Sequence, residues 1–596
     1  MCRIAGFISP ENKPAEFYNT VQTMCDLQAH GGPDDSGMFQ NESGTVTLGH
    51  RRLSIVDTSA AGHQPMTYAD RYKIIYNGEI YNYKELKKEL LQLGQSFTTH
   101  SDTEVILAAY AQWGTVSFSK LKGMFAFALY DAAKQEVLLV RDPSGIKPLY
   151  YYQNNTSFAF SSEVRALKTI PGIEEDPGWK IHFMAYGHLP EPLTTLKNVR
   201  QLPKGFYLKY NCQNFSFGLH SYYFHDFTSD ITDRNFALSK LQQGLEDAVK
   251  RHLIADVPVG VFLSGGTDSA ILAGLASKDK GQSLVALSLY FQEAGFSEKK
   301  YQDIMLASLD MERHQYLLTE KDFETSLPHA LSAMDLPGCD GLNTWFVSRY
   351  AREQGIKAVI SGLGADELFG GYPSFGRMKL ALQLQAFPSA LYTATKISSE
   401  KKWHRLNYLR LQGIKGIYLS LRGLYPAADI ARHLQLSEKQ VWQDLEELPA
   451  MPPLQHLAAG NKASWMELNL YMQNQLLRDS DVMGMAHGVE IRVPFLDDEV
   501  VKLAHGMAPE IKFAGSDPKS LLTEAFRKIM PKEIYDRPKM GFAFPFQEWL
   551  QKSSFLADNM SQASAETKKD YQLFMKGKLH WSQMLVLFQL NLQNGQ

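Results

Sequence analysis

Cys2 directly follows the initiator methionine, and trimming of that methionine would expose a residue with both a thiol and an α-amine. An α-amine titrates near ~8, so at neutral pH much of it can accept a proton. A nucleophile and its base on one residue is the N-terminal form of nucleophilic catalysis. Alone, a cysteine in second place is as easily an accident. Its neighbours add weight. Arg52-Leu53-Ser54-Ile55-Val56 offers a guanidinium suited to gripping a carboxylate through paired hydrogen bonds. Asn77-Gly78-Glu79 follows the apolar run Ile74-Ile75-Tyr76. A side-chain amide and a glycine N–H can hold the oxyanion that forms when a thiolate attacks an amide. Glu79 and Asp102 supply negative charge for an ammonium. These groups fit an amino acid with a hydrolysable side-chain amide, which is glutamine.

A second set lies further along. Ser264-Gly265-Gly266-Thr267-Asp268-Ser269 stands between the apolar run Val257–Leu263 and a helical stretch. Glycines let main-chain N–H groups close on an anion, and a helix N-terminus adds partial positive charge. A plain turn accounts for Gly265 and Gly266, but not for Ser264, Asp268 and Ser269 beside them. The absence of a P-loop lysine argues against γ-phosphate transfer. Ser361-Gly362-Leu363-Gly364-Ala365-Asp366-Glu367 follows another apolar run. Asp268 and Asp366 are the natural pair to hold Mg2+ on pyrophosphate oxygens. Lys539, in Arg537-Pro538-Lys539, could neutralise charge as a phosphate bond breaks, although a lone lysine is more often a solvated surface group.

The elements that must position these groups fall into two regions. Short β-branched and aromatic runs dominate the first: Arg3–Ser9, Val46–Val56, Tyr72–Tyr81, Met124–Tyr130, Glu136–Arg141 and Phe158–Ser162. A helix is predicted over Asn82–Leu93, with Leu86, Leu90 and Leu93 on one face and Gly94 as its stop. In the second region, Leu238, Leu241, Leu245 and Val249 recur at helical spacing. The runs Val257–Leu263, Leu284–Phe291 and Lys357–Ile360 then alternate with helical stretches, which implies a doubly wound parallel sheet. Beyond residue 378 the pattern is mostly helical. The expected domains are 1–215 and 216–596.

Composition agrees with a soluble globular protein: 44% of residues are hydrophobic and 21% charged, and the net charge is −3. That balance calls for neither nucleic acid nor a membrane as partner. Cys2, Cys25, Cys212 and Cys339 show no disulfide or metal-ligand spacing, and no secretion signal or membrane-spanning run is visible, so a cytoplasmic protein is expected.

From Cys2 through Gly123-Met124-Phe125-Ala126-Phe127 and Arg141-Asp142 to Gly145-Ile146-Lys147-Pro148-Leu149-Tyr150, the chain resembles the glutaminase domain of class II, N-terminal-nucleophile amidotransferases. That resemblance implies an α+β sandwich, with Cys2 as nucleophile, Asn77 and Gly78 as oxyanion hole, and Arg52 through Val56, Glu79 and Asp102 around glutamine. The family usually reads His-Arg-Gly-Pro-Asp where this chain has His30-Gly31-Gly32-Pro33-Asp34. The Ser264–Ser269 loop is similar to the pyrophosphate loop of ATP pyrophosphatases. With Asp479-Ser480-Asp481-Val482-Met483 and Glu490-Ile491-Arg492-Val493-Pro494-Phe495, it makes most of 235–550 resemble the synthetase domain of the asparagine synthetase family. The resemblance implies ATP as substrate, with Phe262 and Leu289 at adenine, Ser361 and Gly362 on the nucleotide, an acyl-adenylate intermediate, and ammonia passed through an internal tunnel. A homodimer is an expectation from the family alone.

Two departures bear on the acceptor. Leu363 stands where asparagine-forming members carry glutamate, and Asp335–Thr344 replaces an arginine-containing segment. Aspartate is therefore the family default for the carboxylate acceptor, with another acid, such as a sugar uronic acid, as the alternative. An ATP-dependent cyclase of the same fold would be expected to have a decayed glutaminase site, and a scaffold protein would be expected to have lost Cys2 or Asp268. Neither pattern is present.

Overall fold

The computed structural model describes residues 2–594 apart from 12, 155, 279–283, 388–400, 449, 450, 516, 539 and 542. Lys539 thus lies outside the described residues. The N-terminal part pairs two antiparallel six-stranded sheets. The first contains β1 (Arg3–Ile8) beside β2 (Val46–Arg52), and the second contains β3 (Tyr72–Ile80) beside β4 (Gly123–Asp131). Alternation along β1 feeds two layers. Ile4 and Ile8 meet Val46, Leu48, Ile75, Ala126 and Ala128 between the sheets. Phe7 points the other way onto Phe17 of helix α1 (Pro14–Leu27), ring centres 4.8 Å apart. On the far face Ile74 and Tyr76 pack on Val105 and Ile106 of helix α2 (Asp102–Trp113). This is the expected α+β sandwich.

The second sheet runs past residue 215. Strand β5 (Ser216–Ser221) pairs with Phe206–Asn211 across a turn in which Phe215 takes φ +57°. Helix α3 (Arg234–His252) then opens the α/β part, capped by Asp233, with Leu241, Leu245 and Val249 buried. Its parallel sheet contains β6 (Val259–Phe262), β7 (Leu284–Tyr290), β8 (Glu312–Leu317), β9 (Ala358–Ile360) and β10 (Glu490–Arg492), in the order β8-β7-β6-β9-β10. Residues 373–594 are mostly helical, as expected, with β10 as their contribution to the sheet.

The sequence expectations need three corrections. The strand expected over Val46–Val56 ends at Arg52, because 53–56 turns away to form a loop. Leu93 lies outside the buried face of its helix, which spans Tyr83–Gln92 and buries Leu86 and Leu90. Strand β8 went unread because Glu312, Arg313, His314 and Gln315 sit on an exposed edge. None of the described helices is long and apolar enough to cross a membrane.

Candidate active sites

Cys2 directly precedes β1, buried, with its main-chain N–H donating to Asn77 Oδ1 at 3.1 Å. Asn77 and Gly78 lie on β3 opposite Ala126 and Phe125. Asn77 Nδ2 is buried and donates to nothing in the described structure. It is a preorganised donor beside a thiol, which is what a developing oxyanion requires. Gly78 sits at φ +155°, and a Cβ there would lie 2.1 Å from the Met124 carbonyl oxygen, so only glycine fits. Burial pushes the Cys2 thiol up, while the Leu53 main chain and the Arg52 guanidinium draw it down.

The Arg52 guanidinium is held by main-chain carbonyls: Ser59 O at 2.9 Å, with Asp57 O and Val56 O beside it. Among the described residues no carboxylate pairs with it, which leaves its charge available to one. The clamp loop Leu53–Val56 is fixed by Ser54 N–H on Asp34 Oδ2 at 2.8 Å and by Asp256 N–H on Ile55 O at 2.9 Å. Asp102, at the start of α2, accepts from Ile80 N–H and Tyr76 Oη, both at 2.9 Å. Burial raises the carboxyl of Asp102, and burial with the nearby Glu490 raises that of Glu79. An ammonium placed between them would favour the charged form of both. The fold thus brings Cys2, Arg52, Asn77, Gly78, Glu79 and Asp102 close together in one largely buried region.

The second site lies at the carboxyl ends of β6 and β9, where ligands bind in open parallel sheets. Gly265 takes φ +93°. Ser264 N–H donates to Ser269 Oγ at 3.2 Å, and Ser269 Oγ donates to Gly266 O at 3.1 Å, closing the loop ahead of helix α4 (Thr267–Ala276). Arg537 braces it through Gly265 O at 2.9 Å. Phe262 ends β6, half-buried, and Leu289 is buried near the end of β7. Ser361 and Gly362 leave β9 toward the same loop: a Cβ on Gly362 would stand 3.0 Å from Asp268 Cβ. Asp366 sits in the short helix α5 (Ala365–Phe369).

Sequence reasoning missed the group that joins these carboxylates. Lys519 Nζ lies 2.7 Å from Asp268 Oδ2 and 2.7 Å from Asp366 Oδ1. Its signal was slight, a lysine after Asp517-Pro518, but its φ of +58° is unusual for a lysine. Two convergent carboxylates suit a magnesium ion that takes its remaining oxygens from polyphosphate and water. Among the described residues no cluster of three or more candidate ligands exists, so a cation here would rely on the nucleotide.

Leu363 is half-buried and packs against the hydrophobic core. Charged groups of the helical part gather instead at Tyr372 and Tyr471. Arg422 lies 3.8 Å from the Tyr471 ring centre and 4.6 Å from that of Tyr372, and is paired with Glu467 at 2.8 Å. Burial lifts Asp340 to about 6 and Glu367 to about 8, the latter accepting from Tyr372 Oη at 2.7 Å. Arg492 connects the two sites: its side chain is 3.6 Å from Glu79, and its carbonyl accepts Ser361 N–H at 2.8 Å.

Comparison with known proteins agrees with this architecture. The family model described as glutamine amidotransferase domain matches residues 1–223, and that described as asparagine synthase matches 240–580. Asparagine synthetase [glutamine-hydrolyzing] 1 of Bacillus subtilis is 32% identical, over 96% of this chain and 92% of its own length. Asparagine synthetase [glutamine-hydrolyzing] 3 of the same organism is 30% identical, over 91% and 87%. Asparagine synthetase B of Escherichia coli is 27% identical, over 96% and 86%. With both halves matched, the chain belongs to the asparagine synthase family, which is ATP-dependent, and is a glutamine-hydrolysing amidotransferase ligase.

Proposed function

We propose that this enzyme amidates a carboxylate through an acyl-adenylate, using ammonia released from glutamine at Cys2. The Cys2 thiolate attacks the glutamine side-chain amide while the α-amine of a trimmed chain takes up the thiol proton. Asn77 Nδ2 and Gly78 N–H stabilise the oxyanion, ammonia leaves, and water releases glutamate from the thioester. The glutamine α-carboxylate lies on Arg52 and its ammonium between Glu79 and Asp102. In the other domain the acceptor carboxylate attacks the α-phosphorus of ATP, forming the acyl-adenylate and pyrophosphate. Ammonia displaces AMP to give the amide. Ser264, Gly265, Gly266 and Ser269 cradle the departing pyrophosphate, and Lys519 supplies the cation on it. Asp268 and Asp366 would hold Mg2+, which adds charge neutralisation on the phosphates when bound. The observation that carries this reading is the unpartnered Asn77 Nδ2 beside a buried Cys2, in one chain with the Asp268–Lys519–Asp366 bridge.

Aspartate heads the acceptors by family. A different acid, such as a uronic acid, is the alternative, because Leu363 offers no charge to an aspartate α-ammonium. Pyrophosphate release with ATP, magnesium and glutamine, run against aspartate and a panel of uronic and amino acids, decides between them. Release with none of the acids would defeat the proposal.

A further inference from the structure

The loop His30-Gly31-Gly32-Pro33-Asp34 has glycine where the domains it resembles carry arginine. The structure fills that space from another strand. A Cβ on Gly31 would stand 2.9 Å from both Cγ and Nε of Arg3. The Arg3 side chain therefore lies where a side chain at position 31 would go. Its guanidinium is fully buried, donating from Nε to Glu163 Oε1 at 2.7 Å and from Nη1 to Asp481 Oδ2 at 2.6 Å. His30 Nε2 approaches the same Glu163 oxygen at 3.1 Å.

Two lines run from Arg3 into the synthetase domain. Asp481 belongs to helix α6 (Leu477–Met485) and also lies 3.7 Å from Lys147 Nζ. Glu163 Oε2 faces Arg165 Nε at 3.0 Å, and Asp335 accepts the N–H groups of Val164 and Arg165 at 2.7 and 2.8 Å. Asp335 opens the 335–344 segment. At its other end Arg3 is covalently joined to Cys2.

We propose that Arg3 is a positioning residue for glutamine hydrolysis: it supplies from β1 the guanidinium that the 30–34 loop lacks, and so ties the strand carrying Cys2 to Glu163 and to Asp481 of the other domain. This rests on Cys2 being the nucleophile. Arg3 touches no substrate and acts through the main chain of its neighbour. Arginine suits the site because Nε and Nη1 are separate, rigidly placed donors on one planar group, each aimed at its own carboxylate.

Full-length Arg3→Gly, Gly31→Arg and the double variant Arg3→Gly/Gly31→Arg test this, with Cys2→Ala as reference and glutamine hydrolysis as readout. Arg3→Gly is expected to lower kcat by about 30-fold or more with KM within about threefold, since the glutamine clamp is untouched. Gly31→Arg, with two guanidiniums in one space, should fall comparably. The double variant should return to within about threefold of the parent. A double variant no better than the weaker single variant overturns the proposal, as does Arg3→Gly with unchanged kcat. If Arg3→Gly does not fold, the double variant decides alone: folded and active supports the proposal, and unfolded or inactive refutes it. Undiminished hydrolysis in Cys2→Ala would instead sink the nucleophile assignment, and is read separately.

Discussion

Replacing Asn77 by alanine separates the two chemistries of the chain most cleanly. The side chain is fully buried, with Oδ1 engaged by the Cys2 N–H at 3.1 Å and Nδ2 donating to nothing in the described structure. Alanine removes one of the two oxyanion donors and leaves Gly78 N–H. One preorganised donor is worth about 2.7–4 kcal/mol in the transition state, a loss of about 10²–10³ in kcat. The lost bond to Cys2 weakens the hold on the nucleophile by a further ~0.5–1.5 kcal/mol, so the upper part of that range is expected. Steady-state glutamine hydrolysis is the assay. Ammonia-dependent pyrophosphate release by the same preparation bypasses the oxyanion and should stay within about threefold of the parent. Glutamine hydrolysis retained to that same extent would show that Nδ2 is not the donor. An equal fall in both activities would point to misfolding.

Three further outcomes follow from the geometry. Lys519→Ala removes the ammonium that lies between Asp268 and Asp366, so pyrophosphate release should fall by about 10²–10³ while glutamine hydrolysis persists; equal losses in both would contradict the division of labour. Gly78→Ala drives a Cβ to 2.1 Å from Met124 O, so the variant should melt well below the parent or fail to accumulate, and an unchanged melting temperature would refute the close approach. Burial lowers His50 and His188 to about 3, and His182 and His252 to about 4. These imidazoles stay neutral in the fold and take up protons on unfolding near ~6.5, so stability is fully present above about pH 7 and declines as pH falls from about 6.5 toward 4. A melting temperature independent of pH across that window would contradict their burial.

How far the sequence carried the account depends on the reach of each interaction. Cys2, Asn77 and Gly78 were legible because alternating apolar runs beside them announce strands, and a strand fixes where its polar exceptions point. The Ser264–Ser269 loop was legible for the same reason, standing between a strand and a helix. Lys519 was not, because its partners Asp268 and Asp366 are distant in sequence and nothing in Asp517-Pro518-Lys519 signals them. Lys539 attracted attention through resemblance instead. Arg422 was equally silent: a cation between Tyr372 and Tyr471 exists only once three helical segments have packed. Gly31 shows the reverse case. The sequence revealed that an arginine was missing, but only the fold revealed Arg3 in its place. Strand β8 was lost because polar residues on an exposed edge carry no apolar period.

The central claim is that ammonia freed at Cys2 feeds an adenylated carboxylate in the other domain. Amide formation by Cys2→Ala, compared with glutamine and with ammonium chloride as nitrogen source, tests it directly. The account predicts that amide formation from glutamine is abolished while amide formation from ammonia continues at close to the parental rate. Amide formation from glutamine that survives the loss of Cys2 would contradict it.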